Sequence, residues 1–500
     1  MGQLKKLAGE TAIYGVSSIL GRMLNYLLVP VYTAYFEAEE YGIVTELYAY
    51  AAFLIIVYTY GLETAFFRFA TKHKDDEKKI FDSGFSSLLI SSLTFSALLS
   101  LFATPIVEFL EYPGRERYIY WFSAIMAIDA IVSLPFARLR LERKPVKFAT
   151  AKLVNIFINI TLNLFFIVLL SAIYQGDLLP SLQEWVGGFY RPESKADYVF
   201  LSNLIANAAL IFLLADQLLK VRIRVEWLYL KSMLIYAYPL LFMGLAGATN
   251  EMLSRAMLKK ILPDGFYAEY SNLAAVGIFG ACYKLSVFMT LAIQAFRYAA
   301  EPFFFSKSQD KDSPFLFRDV MHWFVIFGSF IFLAISLNLD IIGEIFLNRP
   351  IYWDGLHIVP VLLLGNLFLG IYYNLSIWFK LTDKTYYGTY ISLFGAAITI
   401  GLNFLLIPIY GYDGSAIVTF ITYLVMTVIS YFLGQKHYPI PYRTWKNLAY
   451  IGISVAIYLL VTRLPEIENY LILKIVHESA ILLFVGLVYF NEKDRLKKLR

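Results

Sequence analysis

Glu40-Tyr41 is followed, 28 residues on, by Arg68 within Phe67-Arg68-Phe69-Ala70; Glu269-Tyr270 is followed at the same interval by Arg297 within Phe296-Arg297-Tyr298-Ala299. The two stretches lie 229 residues apart. A second pair lies 240 residues apart: Lys144 with Leu162-Asn163-Leu164, and Lys384 with Leu402-Asn403-Phe404. Each stretch frames apolar runs long enough to cross a bilayer. Both matches place a span on the span six positions later, so the copies keep the same orientation. That spacing predicts two pseudo-symmetric six-helix lobes related by an axis along the membrane normal, with substrate between them.

The composition supplies the solvent. Of 500 residues, 59% are hydrophobic and 16% charged, with a mean hydropathy of +0.61. Soluble proteins carry about 25% charged residues. That shortfall excludes a soluble multidomain enzyme and a disordered chain. Continuous apolar runs of roughly 20 residues also exclude a β-barrel, whose strands alternate. The reading is an all-α polytopic membrane protein. Spans are expected at 11–35, 42–65, 84–108, 118–137, 149–171, 197–219, 232–252, 271–296, 319–341, 357–379, 387–408, 414–434, 447–463 and 471–490, fourteen transmembrane helices in all. The last two stand outside the repeat. The first run is followed by Phe36-Glu37-Ala38-Glu39-Glu40, not by a small-residue cleavage site, so it reads as a retained helix.

Lys and Arg placement orients the chain. With both termini cytoplasmic, 30 of the 43 Lys and Arg fall on the cytoplasmic side and nine on the other. The net charge of +5 is therefore a topology signal, not a nucleic-acid signal. The single cysteine, Cys282, permits no disulfide framework or cysteine metal site, and the five histidines form no close metal pair. No phosphate-binding Gly-rich loop with Lys-Ser or Lys-Thr occurs, and the longest connection, about 172–196, reads as a cap, not a catalytic domain. No metal or cofactor is expected.

A few polar groups are left inside the spans, where a charge costs roughly 2.5–3.5 kcal/mol or more. Arg22 lies near the middle of the first span, on a face with Gly15, Ser18 and Asn25. It either binds an anionic substrate group or pairs with a buried acid such as Asp129 or Glu46. Lys284 lies near the middle of the eighth span. It either serves a second anionic contact, one cation from each lobe, or pairs with Glu251, the repeat-equivalent of Arg22. Lys152, Asn155, Asn159 and Asn163 form one stripe on the fifth span, and Thr385, Ser392, Thr399 and Asn403 a similar one on the eleventh. Asn203, Asn207, Asn366 and Asn374 add to them. Such stripes glue helices or line an aqueous path. Glu46, Asp129 and Glu251 are candidates for H+ or Na+ coupling or for charge balance. Glu63 reads as a partner of Arg68.

Leu20-Gly21-Arg22, Glu40-Tyr41-Gly42 and Gly61-Leu62-Glu63-Thr64-Ala65-Phe66-Phe67-Arg68-Phe69 resemble the polysaccharide-biosynthesis transporters, the Wzx-like flippases of the multidrug/oligosaccharidyl-lipid/polysaccharide (MOP) superfamily. Leu402-Asn403-Phe404-Leu405-Leu406-Ile407-Pro408-Ile409-Tyr410-Gly411-Tyr412-Asp413-Gly414-Ser415-Ala416 resembles that family's Asn-rich helix, Ile-Pro, Gly-x-x-Gly turn and small-residue helix start. Ser415 stands where Ala is usual. The resemblance implies a V-shaped pair of lobes like those of MATE transporters and lipid II flippases, at 1–225 and 226–440. It implies two added helices and a basic tail at 441–500 that guide a lipid tail. It further implies alternating access carrying a polyprenyl-pyrophosphate-linked oligosaccharide, as in O-antigen and lipopolysaccharide synthesis, across the bacterial cytoplasmic (inner) membrane. A polysaccharide polymerase and chain-length machinery would be partners, beside membrane lipids. On this view Arg22, Asn25, Lys152, Asn155, Asn159 and Lys284 contact substrate. A cation-coupled multidrug exporter, a membrane glycan polymerase or ligase, and a non-transporting scaffold are the competing readings.

Overall fold

The structure is a computed structural model that describes residues 19–21, 23–307, 310, 312–382, 384–464 and 469–499. Among them there are helices and turns but no strands. In hydrocarbon every backbone N–H and C=O must be satisfied within its own segment, which the helix does. The chain runs through α1 (Leu28–Tyr35), α2 (Ala38–Thr59), α3 (Leu62–Lys72), α4 (Glu77–Leu101), α5 (Arg117–Leu141), α6 (Pro145–Asn163), α7 (Lys195–Leu213) and α8 (Trp227–Ile261). It continues through α9 (Asn272–Leu285), α10 (Val287–Lys307), α11 (Ser313–Leu337), α12 (Val359–Leu375), α13 (386–410), α14 (412–437), α15 (Thr444–Thr462) and α16 (Tyr470–Leu499).

Eleven described helices are long and apolar enough to cross a membrane, and α9 with α10, bent by 44°, makes up to twelve. That is fewer than fourteen for two identifiable reasons. The first expected run, 11–35, lies partly on residues outside the described set, and its longest described helix, α1, has only eight residues. The unbroken-looking helix Tyr386–His437 contains Gly411 at φ 58°, ψ −134°, a conformation that ends α13 and starts α14. The two then lie side by side, with Thr399 Oγ1 and Thr422 Oγ1 hydrogen-bonded at 3.1 Å. A Cβ on Gly414 would sit 2.5 Å from the Leu406 carbonyl oxygen. The Gly-x-x-Gly pattern is thus a backbone requirement of a tight hairpin. Gly61 does similar work between α2 and α3: its φ is +74°, and a Cβ there would lie 2.9 Å from Leu240 Cβ on α8.

The chain divides into two compact units, residues 1–260 with 264–277, and residues 261–263 with 278–500. All but the last residue of α8, which the repeat places at the head of the second lobe, falls in the first unit. There Leu62, Phe66, Phe81, Leu134 and Met233 join α3, α4, α5 and α8 in one buried cluster. The 172–196 segment folds over the ends of α6 and α7 through Val186 and Tyr190, which pack on Leu170 and Ile173. In the second unit Phe304, Phe317, Ile377 and Ile440 form one core cluster.

The repeat persists at the level of side chains. Asn163 Nδ2 donates to the Asn159 carbonyl at 2.8 Å, and Asn403 Nδ2 donates to the Thr399 carbonyl at 2.8 Å. Each unit thus buries an Asn that bonds back one helical turn. The two repeat arginines also behave alike: Arg68 stacks over Tyr236 at 4.3 Å and Arg297 over Tyr373 at 4.1 Å. Glu63 therefore does not serve Arg68; it forms its ion pair with Arg140 of α5.

Candidate functional site

The segments around α5, α6 and α7 are strongly apolar and long enough to cross a membrane. Each nevertheless turns a polar group toward the others. Asn207 Nδ2 of α7 donates to Asp129 Oδ1 of α5 at 3.0 Å, and Asn155 Nδ2 of α6 donates to Asn207 Oδ1 at 3.1 Å. The direction is dictated by chemistry. An ionised carboxylate can only accept, so Asn207 must present its NH2 to Asp129, which leaves its carbonyl for Asn155. Lys152, one turn before Asn155, has its Nζ 4.3 Å from the Phe136 ring centroid, and its charge acts on Asp129. Amide dipoles thus carry a carboxylate and an ammonium through one apolar layer without direct contact between them.

The seam continues along α6. Asn163 Nδ2 also lies 3.2 Å from Asn159 Oδ1, and the Tyr32 hydroxyl donates to Asn163 Oδ1 at 2.9 Å. On α7, Asn203 Nδ2 donates to the Tyr48 hydroxyl at 2.9 Å. Asn163 is fully buried, whereas Lys152, Asn155 and Asn159 are half-buried. The structure therefore brings together Lys152, Asn155, Asn159 and Asp129, and adds Asn207 as the link. Asn25 is exposed. Gly21 packs on α6, where a Cβ would lie 2.6 Å from Ile156 Cδ1. Arg22 lies outside the described residues. Glu251 is exposed on α8 in the first unit, and Lys284 is half-buried just before the α9–α10 bend in the second.

Glu46 has a different partner from those expected. It is completely buried, and Lys259 Nζ of α8, itself 8% exposed, lies 3.5 Å from its Oε2. The Tyr112 hydroxyl donates to the same oxygen. Lys259 also donates to the Leu110 carbonyl at 2.6 Å and sits 4.0 Å from the Tyr112 ring centroid. Burial, then the charge of Glu46, pushes the Tyr112 hydroxyl well up, so it remains a donor. Outside this pair, the hydrogen bond from Lys260 holds the Glu111 carboxyl below its usual range. Lys259 was not singled out by sequence. The available signal was depth: Arg255, Lys259 and Lys260 end the seventh span on the side where Glu46 begins the second.

A third cluster also escaped sequence reasoning. His322 of α11 and Glu492 of α16 are both fully buried in the second unit, with His322 Nε2 3.1 Å from Glu492 Oε1. His322 Nδ1 lies 2.6 Å from Asn447 Oδ1 of α15. Tyr450 donates to Glu492 at 2.8 Å, and Arg495 and Lys446 pair with it at 2.7 and 2.5 Å. The network ties the two added C-terminal helices to α11. Among the described residues no group of three His, Cys, Asp or Glu side chains could hold a metal ion.

A family model described as polysaccharide biosynthesis protein matches residues 36–178. No curated protein matches the chain. Among solved structures, the lipid II flippase MurJ in an inward closed conformation superposes with a TM-score of 0.68 at 14% identity, over 96% of this chain and 99% of that one. An inward-facing multidrug-resistance MATE transporter of the MOP superfamily gives 0.60 at 12% identity, over 85% and 94%. A MATE transporter of Vibrio cholerae gives 0.52 at 15% identity, over 87% and 96%. The chain has the polytopic fold shared by the lipid II flippase and the MATE transporters of the MOP superfamily, and over residues 36–178 it matches the polysaccharide biosynthesis proteins.

Proposed function

We propose that this protein is a flippase that carries a polyprenyl-pyrophosphate-linked oligosaccharide from the cytoplasmic to the outer leaflet by alternating access, in the assembly of a surface polysaccharide such as O-antigen. The observation that carries this reading is an overlap. The segment matching polysaccharide biosynthesis proteins, 36–178, holds Asp129, Lys152, Asn155, Asn159 and Asn163 of the polar seam, while Tyr32, Asn203 and Asn207 lie outside it. A diphosphate and a glycan both lose hydration in hydrocarbon, at several kcal/mol for each unmatched polar group. Half-buried amides and an ammonium replace it. Lys152, Asn155 and Asn159 are assigned to substrate contact, with Arg22, Asn25 and Lys284 as further contacts. Asp129 is assigned to H+ or Na+ coupling, while Glu46, held by Lys259, balances charge; Glu251 stays with the coupling group. The bacterial inner membrane, cytoplasmic termini, and polymerase and chain-length partners belong to the same proposal.

The test is complementation of a deletion strain. Wild type restores surface polysaccharide, and Lys152→Ala restores less than a tenth of it at equal membrane abundance. Full restoration by that variant would remove Lys152 from the site. The MATE likeness and Asp129 support a second reading, cation-coupled drug export. Altered drug sensitivity on deletion with intact polysaccharide would select it.

A further inference from the structure

The turn joining α5 to α6 opens a cavity of about 530 Å3 outside the seam. Arg143, Lys144, Lys147 and Thr150 supply its polar wall, and Val146 and Leu213 its apolar one. The backbone is bent to form it. Arg143 takes φ 53°, and its neighbour Lys144 donates its N–H to the Leu139 carbonyl at 2.9 Å, which closes α5. α6 then starts at once. Its N-cap, Lys144, gives no side-chain cap, its first turn holds no acid, and Pro145 occupies the first helical position. The amides of Val146 and Lys147 therefore have no intrahelical acceptor, and the helix dipole adds positive potential there.

The charges are only partly balanced. Lys144 pairs with Glu142 at 2.7 Å, and Lys147 with Asp216. The Arg143 guanidinium enters no ion pair among the described residues, and it is exposed. The flanking surface is apolar: Val146 is 68% exposed and Phe212, beside Leu213, is 81% exposed. These side chains stand where three apolar helices end, α5 at Leu141, α6 at Pro145 and α7 at Leu213, and the end of a span is where hydrocarbon gives way to headgroups. A cationic, amide-rich pocket with an apolar rim at that depth matches an amphiphile with an anionic head, not a free solute.

We propose that Arg143, Lys144, Lys147 and the first-turn amides of α6 bind the phosphate headgroup of a lipid, whose chains lie over Val146 and Phe212. The site stands apart from the transport reading and holds whatever the chain carries. The phosphate comes either from a bilayer lipid or from a polyprenyl diphosphate.

The test measures lipid binding to the purified full chain in neutral detergent by native mass spectrometry. The probes are dioleoyl phosphatidic acid, dioleoyl phosphatidylcholine, geranylgeranyl diphosphate and inorganic phosphate. Arg143→Ala, which breaks no ion pair, weakens phosphatidic acid binding about fivefold, the effect of one interfacial charge. Arg143→Ala with Lys147→Ala weakens it about 25-fold by the same measure. Lys231→Ala, a cation removed elsewhere, changes it less than about twofold by the same measure, and phosphatidylcholine responds to none. Loss confined to geranylgeranyl diphosphate supports the site and assigns it to a prenyl carrier. Equal binding of both lipids by the double variant and wild type overturns the proposal. So does inorganic phosphate binding as tightly as phosphatidic acid, which would make this a solute-anion site. The unfolding midpoint of Arg143→Ala, expected unchanged, separates lost binding from lost folding.

Discussion

Replacing Lys259 by Met tests how the first unit tolerates a buried carboxylate. Glu46 is fully buried, with Lys259 Nζ 3.5 Å away. At that distance, with an effective dielectric near 20, the attraction is about 5 kcal/mol. Lys259→Met removes it, together with the 2.6 Å bond to the Leu110 carbonyl. The Tyr112 hydroxyl remains on Glu46, but one neutral donor contributes only about 1 kcal/mol. Breaking a buried pair from one side costs about 3–5 kcal/mol, so Lys259→Met is expected to destabilise by about that much. Glu46→Gln is expected to cost less, about 1–2 kcal/mol, because Lys259 still has Glu111 at 3.6 Å. The double variant removes both charges and should recover most of the loss, giving a coupling energy above about 2 kcal/mol. The assay is a double-mutant cycle of unfolding in mixed micelles titrated with a denaturing detergent, followed by Trp fluorescence. A Lys259→Met cost under about 0.5 kcal/mol, or additive single effects, would refute an ion pair holding α2 to α8.

Three further outcomes follow from the same contacts. Asp129→Asn keeps an acceptor for Asn207, so stability should fall by about 1 kcal/mol while polysaccharide export falls at least tenfold, read by unfolding and complementation together; loss of both in parallel would make Asp129 structural. Glu492→Gln leaves His322, Lys446 and Arg495 without their shared anion, and should cost about 2–4 kcal/mol. Limited proteolysis in the 463–470 connection should then run faster than in wild type, and an unchanged rate would deny that this network docks α15 and α16 on α11. Gly411→Ala places a Cβ at φ 58°, ψ −134°, a strain of about 1–3 kcal/mol, and should lower the unfolding midpoint in detergent; an unshifted midpoint would mean that the hairpin relaxes freely.

The all-helical fold was legible because a bilayer leaves few options to continuous apolar runs. The repeat was legible because it is written in residues that hold backbone geometry. Asn163 and Asn403 each bond back to the carbonyl one helical turn earlier, and Gly411 and Gly414 make one hairpin, so each position needs its residue type. Ion pairs left no such trace. Arg68 reads equally well as a partner of Glu63 or of an aromatic ring, and only the path of α8 decides for Tyr236. Lys259 looked like one of nine outer cations, because hydropathy records depth and not azimuth. His322 and Glu492 lie too far apart in sequence for any local spacing to join them. The stripe on α6 was visible by periodicity, but Asn207, the residue that connects it to Asp129, belongs to another helix.

Two intramembrane carboxylates of the first unit, Glu46 and Asp129, are handled in opposite ways, and the contrast bears on the roles proposed for them. Glu46 has a cation at 3.5 Å and a tyrosine donor, all enclosed, so a change in its charge would take from Lys259 its buried partner and leave it only the exposed Glu111 at 3.6 Å. Such a group is fixed. Among the described residues Asp129 bonds only to an amide, and its cation, Lys152, is half-buried and rests against an aromatic face. Protonating Asp129 would let it donate; Asn207 would answer by turning its carbonyl inward, and Asn155 by turning its own carbonyl to accept the Asn207 NH2. The α5–α7–α6 chain of hydrogen bonds thus has two arrangements of nearly equal bonding, differing by one proton. Under the proposed flippase function such an element would serve proton coupling, which a buried ion pair such as Glu46–Lys259 cannot do.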